Sequence, residues 1–315
     1  MIRRAALIGF TTVALLTGAM GCGSPQGARI APPTALPALP ETAPIIAPEG
    51  ALDGDFADPF VLRGPDAYYA FATGDTERLH LQVARSRDLR VWTHLGDALP
   101  ELPSWAVKAH GLTWAPSALA RHDRYILYYT TADAVSGFQC ISRAVSPRPE
   151  GPYVDDSSRP LVCQVGPESP YCGSIDPSPF LDSDGKLYLL WKSDENSTHC
   201  RTVPRVWAQA LTDDGLQVAG PAQSLLAVDQ TWEHDIIEAP SMMRHGDRYL
   251  LFYSGNWYES RNYAIGYATC PSLSGRCNKA TLTAPFLMSA GSMLGPGGQE
   301  LFNDESGEAA WALGI

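Results

Sequence analysis

Three acidic residues stand at or beside a proline in this 315-residue chain: Asp58 in "DFADPFVL", Asp176 in "GSIDPSPF" and Glu238 in "IIEAPSMM". Each opens a short apolar run, where a charged carboxylate is costly to bury unless the protein uses it. Two carboxylates across a pocket, one ionised and one protonated, form the apparatus of glycoside hydrolysis. A third can raise the pKa of the group that must keep its proton. The three residues are far apart in sequence, so this chemistry depends on the elements that bring them together.

Those elements repeat. "DFADPFVLRGPDAYYAFATG", "LTWAPSALARHDRYILYYTT", "GSIDPSPFLDSDGKLYLLWK", "IIEAPSMMRHGDRYLLFYSG" and "MLGPGGQELFNDESGEAAWALG" share one layout. Each has a Pro, a few apolar residues, a polar turn and a strand rich in Tyr, Leu and aromatics. The prolines are Pro59, Pro116, Pro177, Pro240 and Pro296, roughly 60 residues apart. Within 173–191 the turn "LDSDGK" carries the Asp-Gly signal of a hairpin. Further strand-like runs ("LHLQVARS", "RVWAQAL", "YAIGYATC") lie between the repeats, and no long stretch has helical periodicity.

A period of this size built from β-hairpins predicts an all-β, five-bladed β-propeller. The innermost strand of each blade lines a central channel, so equivalent positions point toward one axis. Those positions read as Asp58, Ala115, Asp176, Ala239 (with Glu238 just before it) and Gly295. Three repeats thus bring an acid to one channel mouth, and like charges held together at a cost mark a candidate active site. Pro296 stands 19 residues from the end of the chain, so the fifth blade is expected to be incomplete, with an open edge.

Composition narrows the partners. The net charge of -11 argues against nucleic acid, which needs a basic surface, and suits a neutral ligand. Residues 1–22 carry Arg3 and Arg4, a short apolar run and small residues, the layout of an export signal. Cys22 follows Ala19, Met20 and Gly21, which resembles a bacterial lipobox. Two destinations stay open: a lipoprotein anchored to a membrane through Cys22, or a plainly secreted protein. Residues 23–48 are Pro- and Ala-rich and read as an extended linker, leaving 49–315 as the folded domain. The other six cysteines form an even set suited to disulfides in an exported chain. Cys270–Cys277 would close one short loop, and Cys140–Cys163 and Cys172–Cys200 are the neighbouring pairs.

The motifs "DFADPFVL", "WAPSAL", "GSIDPSPF" and "IIEAPSMM", in this order and spacing, resemble glycoside hydrolase family 43 from about residue 50 onward. "WTHLGDALPELPSWA" (92–106) also resembles a loop of that family. The resemblance implies a five-bladed propeller that hydrolyses arabinofuranosides, xylosides and related plant-type or cell-wall glycans with inversion. It implies Asp58 as the general base, Glu238 as the general acid, and Asp176 as the carboxylate that tunes and orients the acid. Many members hold a cation or water network at the channel centre through a His near the fifth repeat. Here Gly298 stands at that place, and the seven histidines are scattered without ligand spacing, so no cofactor is expected and a central cation is in doubt.

A sugar also needs flat apolar faces. Trp114, which opens "WAPS", is the first candidate platform, followed by Phe71 and Trp257. Two other functions compete. A catalytically inactive glycan-binding propeller would need no full acid set, and all three acids are present. A fructan hydrolase or a glycoside phosphorylase would carry different acidic motifs or basic residues clustered at the acids.

Overall fold

The computed structural model describes residues 6–10, 52, 54–165, 169–195, 200, 202–303 and 309–314. The described residues are all β apart from one turn of 3-10 helix, Thr231–Glu233. The strands form five antiparallel sheets. The first comprises β2 (Phe60–Arg63), β3 (Tyr68–Thr73), β4 (Leu81–Ser86) and β5 (Trp92–Asp97). The second holds β6 (Thr113–Arg121), β7 (Arg124–Ala132) and β8 (Gln139–Ser146). The third is β9 (Ser174–Leu181), β10 (Leu187–Ser193), β11 (Arg205–Leu211) and β12 (Val218–Ala227). The fourth is β13 (Ile237–His245), β14 (Arg248–Gly255), β15 (Ala264–Cys270) and β16 (Asn278–Lys279). The fifth joins β17 (Gly297–Asn303) and β18 (Ala309–Gly314) to β1 (Ala6–Phe10).

The inner strands β2, β6, β9, β13 and β17 neighbour one another in cyclic order, and β17 touches both β13 and β2. The ring therefore closes, and the sheets are the blades of a propeller. Blade two has three named strands, and the segment beyond them returns alongside β8 through bridges at Val154 and Val162.

Five buried clusters fill the wedges between consecutive blades. The alternation of a strand supplies two wedges at once, because successive side chains point to opposite faces. Along β3, Tyr69 and Phe71 pack toward blade two, whereas Tyr68, Ala70 and Ala72 pack toward blade five. This two-sided burial explains why the middle strands read as continuous apolar runs. The "LDSDGK" turn closes the β9–β10 hairpin, with Gly185 at positive φ.

Blade five, expected to be incomplete, is packed on both faces. Leu301 and Leu313 pack against Phe252 and Ile265 of blade four, and Phe302 and Ala312 against the β3 face of blade one. The blade is short but sandwiched. Its third strand, β1, pairs with β18 and lies in the stretch read above as an export signal. Cys22 and the linker lie outside the described residues. Disulfides join Cys140 to Cys163, Cys172 to Cys200, and Cys270 to Cys277, the pairing expected from the sequence.

Candidate active site

Every inner strand carries the same distortion near its N-terminal end. Asp58, Ala115, Asp176, Ala239 and Gly298 all have φ between 45° and 57°. Four of the five are non-glycine residues before a proline, where left-handed backbone costs about 1–3 kcal/mol each. The strand bulges at this point: pairing skips from Trp114 to Ser117, from Ile175 to Ser178, from Glu238 to Ser241 and from Gly297 to Glu300. A bulge re-aims side chains at a sheet end, and four in register, with the left-handed turn at Asp58 in blade one, aim theirs at one channel mouth. The structure also corrects the fifth repeat. Sequence alignment on proline set Pro296 and Gly295 there, but Gly298 and Gln299 occupy the equivalent positions.

Hydrogen bonds between blades hold the acids in place. Asp58 Oδ2 accepts the Thr73 hydroxyl at 2.6 Å, and Thr73 Oγ1 in turn accepts the Ala115 amide at 3.0 Å. Asp176 Oδ2 accepts the Ala239 amide at 2.8 Å. Glu238 precedes that amide in the chain and is buried. Its Oε2 lies 3.0 Å from Lys192 Nζ, and its Oε1 accepts the Tyr263 hydroxyl at 2.8 Å. Lys192 is fully buried and also lies 3.8 Å from Asp194.

The electrostatics separate these groups. Burial, with the neighbouring Glu238 and Asp58, pushes Asp176 up to about 8 against the opposing pull of Lys192. Lys192 is held above its usual value by Glu238, Asp194 and Asp176, against the cost of burial. Tyr263 is pushed well up by burial and by Glu238, so it stays a hydroxyl donor. Below the acids, Glu300 lines the channel where Ser117 and Ser178 stand in other blades, and burial pushes it up to about 8. Near neutral pH Asp176 thus favours its protonated form, beside the Glu238 carboxyl that Lys192 and Tyr263 contact. Such a cluster can donate a proton to a leaving oxygen and take one from water.

Among the candidate sugar platforms, Trp114 occupies the Glu238-equivalent position of blade two, half-buried, with its indole N–H on the Gly111 carbonyl. Trp257 is exposed, packed against Tyr258 in the loop after β14, whose last residue pairs with Ile237 beside Glu238. Phe71 is a correction: it is fully buried between blades one and two, edge-on to Tyr153, and offers no face to a ligand. The alternation of β3 turns it into the wedge. A Cβ on Gly298 would lie 3.2 Å from Asp58 Oδ1, and the Gln299 amide is engaged by Ser254 and Ala239.

Sequence reasoning missed Lys192, Tyr263, Thr73 and Glu300. Lys192 left a signal, a charged residue inside the apolar strand "LYLLWKS". Tyr263 opens the strand-like run "YAIGYATC", but nothing in that run marks it as a partner of Glu238.

Comparison with known proteins agrees with this geometry. The family model described as glycosyl hydrolases family 43 matches residues 49–313. The chain is 25% identical over 268 residues to the extracellular exo-α-(1→5)-L-arabinofuranosidase ArbA of Cellvibrio japonicus, covering 80% of this chain and 72% of that protein. It is 27% identical to the extracellular endo-α-(1→5)-L-arabinanase 1 of Bacillus subtilis, covering 81% and 79%. Among solved structures, a thermostable family-43 glycoside hydrolase superposes with a TM-score of 0.69 at 26% identity, covering 82% of each chain. An endo-1,4-β-xylanase from Bacteroides thetaiotaomicron superposes with a TM-score of 0.68 at 26% identity, covering 81% of this chain and 83% of that one. With five left-handed turns at the channel mouth bringing three acids together, and a family match over residues 49–313, the chain belongs to glycosyl hydrolases family 43.

Proposed function

We propose that this protein is an exported, inverting glycoside hydrolase acting on arabinose- or xylose-containing glycans. In this reading Asp58 is the general base, Glu238 the general acid and Asp176 the residue that tunes the acid. The observation that carries it is the direct contact of the tuning pair with one peptide: Asp176 accepts the Ala239 amide, and Glu238 is the residue before it. The relatives named as arabinofuranosidase, arabinanase and β-xylosidase support the substrate class.

The reaction is a single displacement. Asp58, ionised, takes a proton from a water that attacks the anomeric carbon as the glycosidic bond breaks. Glu238 gives its proton to the departing oxygen, so the sugar hydroxyl leaves neutral. Buried together, Asp176 and Glu238 repel each other as carboxylates, so the pair retains a proton near neutral pH, and Glu238 is the member placed to give it to the leaving oxygen. Once Glu238 is ionised, Lys192 and Tyr263 stabilise the new carboxylate from fixed positions, with no reorganisation needed at that moment. Trp114 and Trp257 offer flat faces to the sugar rings.

Export rests on the N-terminal signal pattern and on relatives named extracellular, and lipid attachment at Cys22 would anchor the enzyme to a membrane surface. The deciding experiment is hydrolysis of aryl α-L-arabinofuranoside and aryl β-D-xyloside, with the anomer released first identified by NMR. Inverted product, abolished in Asp58→Ala, is expected. Retained product would overturn the displacement. A folded wild type inactive on these, on arabinan and on xylan would favour a glycan-binding propeller.

A further inference from the structure

Blade five replaces the proline of the other repeats with Gln299, and that glutamine reaches into the acid's own backbone. Gln299 is buried at 2% exposure. Its Nε2 donates to the Ala239 carbonyl at 2.6 Å. Its Oε1 accepts the Ser254 hydroxyl at 2.7 Å, and Ser254 Oγ accepts the Gly298 amide at 3.0 Å. The amide orientation is fixed by its partners, since a backbone carbonyl can only accept. Ser254 is also the register partner of Glu238 across β13 and β14.

Ala239 is therefore held at both ends. Its N–H is bound by Asp176 from blade three and its C=O by Gln299 from blade five. Between them the residue sits at φ 49°, a conformation that alanine before proline does not hold without support. Glu238 hangs from the same strained segment. Proline at position 299 could not supply this contact, and the four other repeats do have proline there.

Resting on the proposed role of Glu238, we infer that Gln299 is a positioning residue for the general acid. It locks the Ala239 peptide so that the Glu238 carboxyl faces the leaving oxygen, and it ties blade five to blade four at the point where proton transfer occurs. The role is chemical as well as structural, so it depends on how much the leaving group needs a proton.

The test compares wild type, Gln299→Met, Gln299→Glu and Glu238→Gln on aryl glycosides of graded leaving-group pKa, with Tm measured in parallel. Misplacing the acid costs rate only where protonation matters. Gln299→Met is expected to lose about 10- to 100-fold in kcat on poor leaving groups and less than about threefold on dinitrophenyl glycosides. Gln299→Glu keeps the shape and can donate only when protonated, so its rate relative to wild type on poor leaving groups should rise as pH falls. It serves as the reporter should Gln299→Met fail to fold. Equal losses across all leaving groups, or no loss, would overturn the inference. If Glu238→Gln discriminates between leaving groups and the Gln299 variants do not, only the positioning role fails. If Glu238→Gln does not discriminate either, the acid assignment falls with it.

Discussion

Lys192 Nζ sits 3.0 Å from Glu238 Oε2 in the channel wall, and the lysine side chain is fully buried. A buried ammonium without partners is far costlier than a partnered one, so the Glu238 and Asp194 carboxyls anchor Lys192 in the wall. Lys192 also lowers the pKa of Asp176.

Lys192→Met tests that coupling. Without the ammonium, Asp176 keeps its proton to a pH above about 8, and the alkaline limb of the kcat/KM profile should move upward. The carboxylate left on Glu238 after proton transfer also loses its counter-ion, so kcat should fall by about 10²–10³-fold, the scale of losing a preorganised donor. A pH–rate profile measures both, and an unmoved alkaline limb would argue against the coupling.

Asp176→Asn should act on the same limb and remove it. The amide oxygen can still accept the Ala239 N–H, so the backbone clamp survives. The titrating neighbour is gone, however, and an alkaline limb near pH 8 should disappear from the profile. A kcat loss of about 10–100-fold is expected, because general acid catalysis is weakened and not removed. Retention of the limb would assign it to another group.

Thr73 links the base to the neighbouring blade, since its hydroxyl donates to Asp58 and accepts from Ala115. Thr73→Val keeps the shape and breaks both bonds. It should lower kcat by about 10-fold or more and destabilise by about 1–2 kcal/mol through the orphaned amide. Thr73→Ser should restore both. Equal damage in the two variants, in kinetics and melting, would show that the methyl group matters and the hydroxyl does not.

The sequence carried the repeat, and with it the fold and the three acids, because Asp58, Asp176 and Glu238 stand at one place in a period that a propeller turns toward one axis. The register of the fifth repeat was not legible. Pro296 matches the earlier prolines in type, but the left-handed turn falls at Gly298, where glycine and glutamine replace the pattern. Phe71 could not be told from a sugar platform by type, since the parity of its strand alone puts it in the wedge. Lys192 meets Glu238 only through the packing of blade three on blade four, and Tyr263 reaches it from beside β15 within blade four, relations with no sequence period.

Glu300 gives a prediction about stability. Burial in the channel pushes its pKa from the ordinary glutamate value of 4.5 up to about 8, while hydroxyls of Ser241 and Ser178 pull it back. The unfolded chain releases this proton near pH 4.5 and the folded protein holds it to about 8, so the folded state binds more protons across that window. Stability then falls as pH rises through it, by at most about 1.4 kcal/mol per pH unit, and levels off above pH 8. Glu300→Gln removes the titration and keeps a polar group for the serines. Allowing for screening by channel water, it should be more stable than wild type by about 1–3 kcal/mol at pH 8, with the advantage gone at pH 4. Thermal melts of the two proteins from pH 4 to pH 9 measure the difference. A constant offset across that range would mean that the substitution acts through packing and that Glu300 ionises as freely in the channel as in the unfolded chain.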